Sequence, residues 1–87
     1  MNLSPGAAKA LLDGGIDATA ALNDALKRAL LHSPAASHAE LKRAVGHAMA
    51  GVLEATVDVA VQTYPDLKPD KETWAAIARE CAIRRAN

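Results

Sequence analysis

Residues 37–64 read SHAELKRAVGHAMAGVLEATVDVAVQTY, and no proline interrupts them. The reading of this stretch decides the fold. Ser37 and Glu40 have capping-box spacing: the serine hydroxyl can accept from the Glu40 N–H, and the carboxylate can reach back to the N–H of Ser37. Ser33-Pro34 offers a rival start four residues earlier, because proline suits the first helical position. Pro65 disfavours a helical conformation at Tyr64, so the helix is expected to stop there. A helix over 38–64 is about 40 Å long, well beyond the usual three to four turns.

At 100° per residue, Leu41, Val45, Ala48, Met49, Val52, Leu53, Thr56, Val59 and Ala60 fall on one broad apolar arc. Such a face needs cover from more than one neighbour, which makes this helix the expected spine. The opposite arc carries Arg43, His47, Ala50, Gly51, Glu54 and Asp58, and its charges are ordered. Arg43 and His47 sit one turn apart, as do Glu54 and Asp58, and two acids at that spacing repel. The basic end also lies toward the helix N-terminus, against the dipole. An antiparallel copy resolves both conflicts. A two-fold between Ala50 and Gly51 sets Arg43 against Asp58 and His47 against Glu54, with small residues at the crossing. These six residues are therefore the expected homodimer interface, of the isologous kind a two-fold requires. The competing reading is a solvated face, since surface ion pairs contribute only ~0–1 kcal/mol.

Toward the N-terminus, Ser4-Pro5 is a helix start. Gly14-Gly15 reads as its end, glycine being the usual C-cap. Asp17 then reads as the cap of a second helix, with Ile16 as a staple onto its first turn. Ala21, Leu22, Ala25, Leu26, Ala29 and Leu30 form its core stripe, and it is expected to end near His32. Toward the C-terminus, YPDLKPD over 64–70 is a turn or loop. Asp70 caps the last helix, where Glu72 suits the first turn. Trp74, Ile77, Ala78 and Cys81 make that helix's inner face. The expected fold is thus all-α and a single domain over 1–87. A central helix over about 38–64 is covered by helices over about 18–32 and 71–86, with a short helix over about 5–13.

Eighty-seven residues suffice for one domain with a thin stability margin. The core ingredients are small: twenty-one alanines, one tryptophan, one tyrosine and no phenylalanine. A small core favours oligomerisation. The formal net charge is zero, so no global field attracts nucleic acid or an anionic membrane. The lone Cys81 suits a reducing compartment. No basic segment with a following apolar run marks a signal peptide, and uninterrupted apolar runs fall far short of a membrane span. A cytoplasmic protein without membrane contact is the expectation, and the alanine content suggests a bacterial source.

Chemistry-bearing motifs are sparse. His32, His38, His47 and Cys81 show none of the close pairings of structural zinc sites. Glu54 and Asp58 are neighbours, but lack an apolar surround to raise a pKa. No catalytic residue, cofactor or metal site is expected, and no enzymatic activity. Lys71, Arg79, Arg84 and Arg85, or Lys42 with Arg43, could make a basic patch, and a nucleic-acid-associated regulator using the patch on the last helix is the alternative function. No helix carries the row of polar and basic side chains that reads base edges. Tyr64 and Trp74 flank the 65–70 loop and by default anchor it. The leading expectation is a small non-catalytic helical interaction module that binds a protein partner or itself.

Overall fold

The computed structural model describes residues 2–86. The chain is all-α, as expected, with no strand among the described residues. Helix α1 spans Pro5–Leu31, α2 His38–Ala55, α3 Val57–Thr63 and α4 Lys71–Ala86. Two 3-10 turns, Ala35–Ser37 and Pro65–Leu67, make the connections.

The first helix begins as its sequence dictates. The Ser4 hydroxyl accepts from the Ala7 N–H at 3.1 Å, and Pro5 takes the first helical position. It does not end at Gly14-Gly15. The expected helices over 5–13 and 18–32 are one rod of 27 residues. Neither glycine has positive φ, so neither serves as a C-cap. Each glycine inside a helix costs up to ~1 kcal/mol against alanine, and packing offsets that cost. Gly15 is buried where α1 crosses the α2–α3 junction. Asp17 caps nothing, and Ile16 is a fully buried core residue rather than a staple.

The expected 38–64 rod is broken once, at neither of its glycines. Thr56 has φ −124° and ψ −76°, far from helical values. Its hydroxyl donates to Val52 O at 2.6 Å, so the side chain occupies a carbonyl that the next turn would otherwise use. The capping box at Ser37 is also absent. Ser37 is in the αR region and its side chain caps nothing, because the 3-10 turn led by Pro34 already carries the chain into α2.

The hub is α1 rather than the 38–64 segment. It packs against α2, α3 and α4. The core joins Ala8, Leu12 and Ile16 of α1 to Val57 and Ala60 of α3 and Ile77 and Cys81 of α4, with Leu3, Tyr64, Leu67 and Trp74 closing its edges. All of this lies at one end. Between Thr19 and Val57 no residue is buried. The second half of α1 and α2 as far as Val52 form a two-helix arm whose apolar stripes cover each other, while Leu53 at the end of α2 packs against the core. Ala48, expected on the covered arc, is exposed.

The arm lengthens the molecule to 45 × 29 × 20 Å, with a radius of gyration of 14.6 Å. A compact chain of this length has a radius near 12 Å. The accessible surface is 6062 Å², against about 4,900 Å² for a compact monomer of this mass. The surplus is of the order of 1,200 Å².

Candidate functional site

The arm holds no buried residue, so its faces matter most. Leu22, Leu26 and Leu30 of α1 and Leu41, Val45, Met49 and Val52 of α2 are half-buried. They share the seam between the helices. The two flanks beside that seam differ. Ala44, Ala48, Gly51 and Ala55 follow one line down α2, and all four are exposed. On α1, exposed Ala21 and Ala25 lie on one flank, and Asn23 and Lys27 on the other. Both helices are right-handed and the hairpin makes them antiparallel. Turning away from the seam at 100° per residue then brings Ala21 and Ala25 to the same open side as the α2 line. That side of the arm is small and apolar along its middle, with exposed Arg28 and Glu40 at its edges toward the tip. Asn23, Lys27, Lys42 and Gly46 occupy the other. No side chain or backbone lies within 4 Å of a Cβ built at Gly51.

Arg43, His47, Ala50, Gly51, Glu54 and Asp58 are all exposed. Five of them lie on the unbroken α2: Arg43, His47, Ala50 and Glu54 on the surface away from α1, and Gly51 on the alanine line beside it. Asp58 lies beyond the break at Thr56, on α3, and so leaves the straight line of the others. None of these charged residues has an ion-pair partner within the chain among the described residues.

The tip of the arm is held by a residue whose role had no sequence signal beyond a first-turn position. Half-buried His38 opens α2, and its Nε2 lies 3.0 Å from Leu30 O and 3.1 Å from Ser33 O. Two carbonyl partners require that nitrogen to carry the proton and donate. The imidazole thereby closes the C-terminus of α1, where carbonyls lack helical partners. Beside it Leu31 is 81% exposed. His32 is exposed at the α1 C-cap, and His47 lies in mid-α2. No group of three or more metal-ligating side chains occurs among the described residues.

At the other end, α4 lies along the first half of α1, and an open groove of about 560 Å³ runs between them. Gly6, Ala10 and Gly14 make its floor, and Lys9, Asp13, Asp17, Arg84 and Arg85 its polar walls. Lys9 pairs with Asp13. Arg85 Nη2 lies 2.7 Å from Asp17 Oδ1. The N–H does not point along that line, so Oδ1, sealed from solvent, accepts no hydrogen bond. Arg84 donates to Cys81 Sγ at 3.3 Å, and the thiol faces Asp13 O at 3.7 Å. Cys81 is buried and free. Of the expected basic residues, Arg84 and Arg85 therefore flank this groove. Lys71 and Arg79 are exposed elsewhere on α4, with Arg79 about 160° around the helix from Cys81 at 100° per residue.

Tyr64 and Trp74 are half-buried against the core. The Tyr64 hydroxyl donates to Leu3 O at 2.8 Å and ties the start of the chain to the 65–67 turn. Asp70 caps α4 as expected, accepting from the Thr73 N–H at 2.8 Å. That backbone bond, and then the Thr73 hydroxyl, hold its carboxyl below the ordinary value.

The segment Ala35–Thr63 is long and apolar enough to cross a membrane by length and composition, with a mean hydropathy of 1.3 over its most apolar window. Only 11% of that window is buried. This is more apolar than its short uninterrupted runs suggest. Glu54 and Asp58 interrupt it, and an acid at a bilayer centre costs ~2.5–3.5 kcal/mol on insertion scales.

The sequence matches no protein-family model, and comparisons with curated proteins and with solved structures find no match. Fold and surface alone therefore define the class: a small all-α protein with one sealed core and one uncovered helical arm.

Proposed function

We propose that this chain is a small non-catalytic interaction module whose partner is a second copy of itself. One observation carries the reading: no residue between Thr19 and Val57 is buried. Two amphipathic helices joined only along a seam leave apolar surface in water, and further helices normally cover it. A surplus of about 1,200 Å² in one chain exceeds the ~800 Å² per partner of a standard interface. Multi-angle light scattering at tens of micromolar is the test. A mass near twice 9.0 kDa is expected, and a monomer at that concentration refutes the reading.

The alternative, a nucleic-acid-associated regulator acting through Lys71, Arg79, Arg84 and Arg85, is separated by a gel shift at low salt. A self-associating module leaves DNA and RNA unretarded. Retardation lost steeply with salt would replace the reading.

A further inference from the structure

We infer that the two copies meet through the alanine side of the arm, α2 antiparallel on its counterpart, with Glu54 of each copy between Arg43 and His47 of the other. The inference rests on the proposed self-association and specifies its surface and register.

The first ground is shape. Ala44, Ala48, Gly51 and Ala55 leave α2 without projecting side chains on the side it shares with Ala21 and Ala25. Close backbone approach needs such a surface, and it removes the half-buried leucines and valines of the seam from water. A two-fold between Met49 and Ala50 sets Ala44 opposite the partner's Ala55 and Ala48 opposite the partner's Gly51. The same axis lays α1 antiparallel on α1, Ala21 and Ala25 included.

The second ground is charge. In that register Arg43 is level with position 56 of the partner and His47 with position 52, so Glu54 falls midway between them. The pairing occurs twice by symmetry, along the outer rim of the contact. Arg43 and His47, one turn apart in one chain, become brackets for an acid in the other. A copy of the same chain supplies this complement without further assumption. The break at Thr56 is what favours this register over one centred between Ala50 and Gly51. Asp58 lies past the break, so Glu54 is the last acid on the straight part of the rod.

The contact is modest. Two helices of 18 residues present a face of about 27 by 20 Å, roughly 500 Å² in projection per copy. That is at the low end for specific interfaces, and association in the micromolar range is expected.

Four variants test the inference by light scattering and analytical ultracentrifugation, with circular dichroism melts of dilute protein as the folding control. Ala48→Gln places a bulky helix-former on the alanine side and should raise the dimer dissociation constant at least about ten-fold. Arg43→Glu should weaken the dimer about ten-fold, because two attractive pairs become repulsive. Arg43→Glu with Glu54→Arg should restore it, whereas Arg43→Glu with Asp58→Arg should not. A dimer indifferent to Ala48→Gln and Arg43→Glu overturns the surface but leaves self-association standing. Rescue by Asp58→Arg instead of Glu54→Arg overturns the register. A monomer at tens of micromolar sinks both proposals. If that monomer co-sediments with phosphatidylcholine–phosphatidylglycerol vesicles, a lipid surface replaces the second copy as occupant of the arm.

Discussion

A Cβ built on Gly15 lies 2.1 Å from Thr56 Oγ1 and 2.8 Å from Thr56 Cβ. The middle of α1 and the junction of α2 with α3 thus cross at a distance that only glycine permits. Val57 Cγ2 stands 3.1 Å away on the same side. Thr56 cannot yield easily, because its hydroxyl is engaged with Val52 O. The crossing fixes where the arm leaves the core.

Gly15→Ala is therefore expected to destabilise the fold by about 1–3 kcal/mol, as overpacking does in rigid cores. Gly14→Ala is the internal control. Its Cβ meets nothing within 4 Å, so the change should stabilise by ~0.5–1 kcal/mol through helix propensity alone. Urea denaturation of the two variants measures both. Equal effects of the same sign would contradict the crossing.

Replacing His38 with alanine should leave the Leu30 and Ser33 carbonyls without their ring donor. A cost of ~1–2 kcal/mol is expected for the half-buried pair, with fraying confined to the end of α1 and the start of α2. Amide exchange resolved by residue would locate the loss. A uniform loss across the core would show that the imidazole does not hold the tip.

Tyr64→Phe removes the hydroxyl that donates to Leu3 O at 2.8 Å and keeps the ring. The expected cost is ~1 kcal/mol. The segment before Ser4 should become more susceptible to aminopeptidase, while the helical signal stays unchanged. Unaltered digestion would refute the tether.

Asp70 gives a signed pH dependence. Its carboxyl titrates below its ordinary value of 3.8 because the Thr73 N–H and hydroxyl, with the Glu72 N–H, favour the charged form. A depressed folded-state value means stabilisation that is present above the unfolded pKa and lost as pH falls through the folded one. Asp70→Asn keeps an acceptor and abolishes the titration. The melting temperature of the native protein should exceed that of the variant at about pH 5 and lose that advantage by about pH 2. A pH-independent difference would exclude the cap as its source.

The local signals that proved readable are those satisfied within a few residues. Ser4-Pro5 and Asp70 cap their helices, Tyr64-Pro65 ends α3, and the 3.6-residue period points Trp74, Ile77, Ala78 and Cys81 toward the core. What was not readable depends on distant chain. Gly14-Gly15 carries a local stop signal, but the crossing at Thr56 overrides it, and no sequence pattern announces a neighbour 41 positions away. Thr56 itself is one threonine among β-branched residues. Asp17 has the chemistry of a cap and serves instead beside Arg85 of the last helix. Periodicity gave α2 its apolar direction correctly but said nothing about cover. A stripe is the same string of letters whether two helices or none lie over it. The expected interface residues were legible as exposed and ordered in charge, except that the bend at Thr56 takes Asp58 out of line.

Because a single rod, α1, belongs to both the sealed end and the bare end, it carries two stabilities along its length. Amides near Leu12 should exchange only on global unfolding, and those past Ala20 through opening of the arm alone. If a second copy closes over the arm, as proposed, it also supplies the missing protection, so folding and assembly become linked equilibria and the melting temperature should rise with protein concentration.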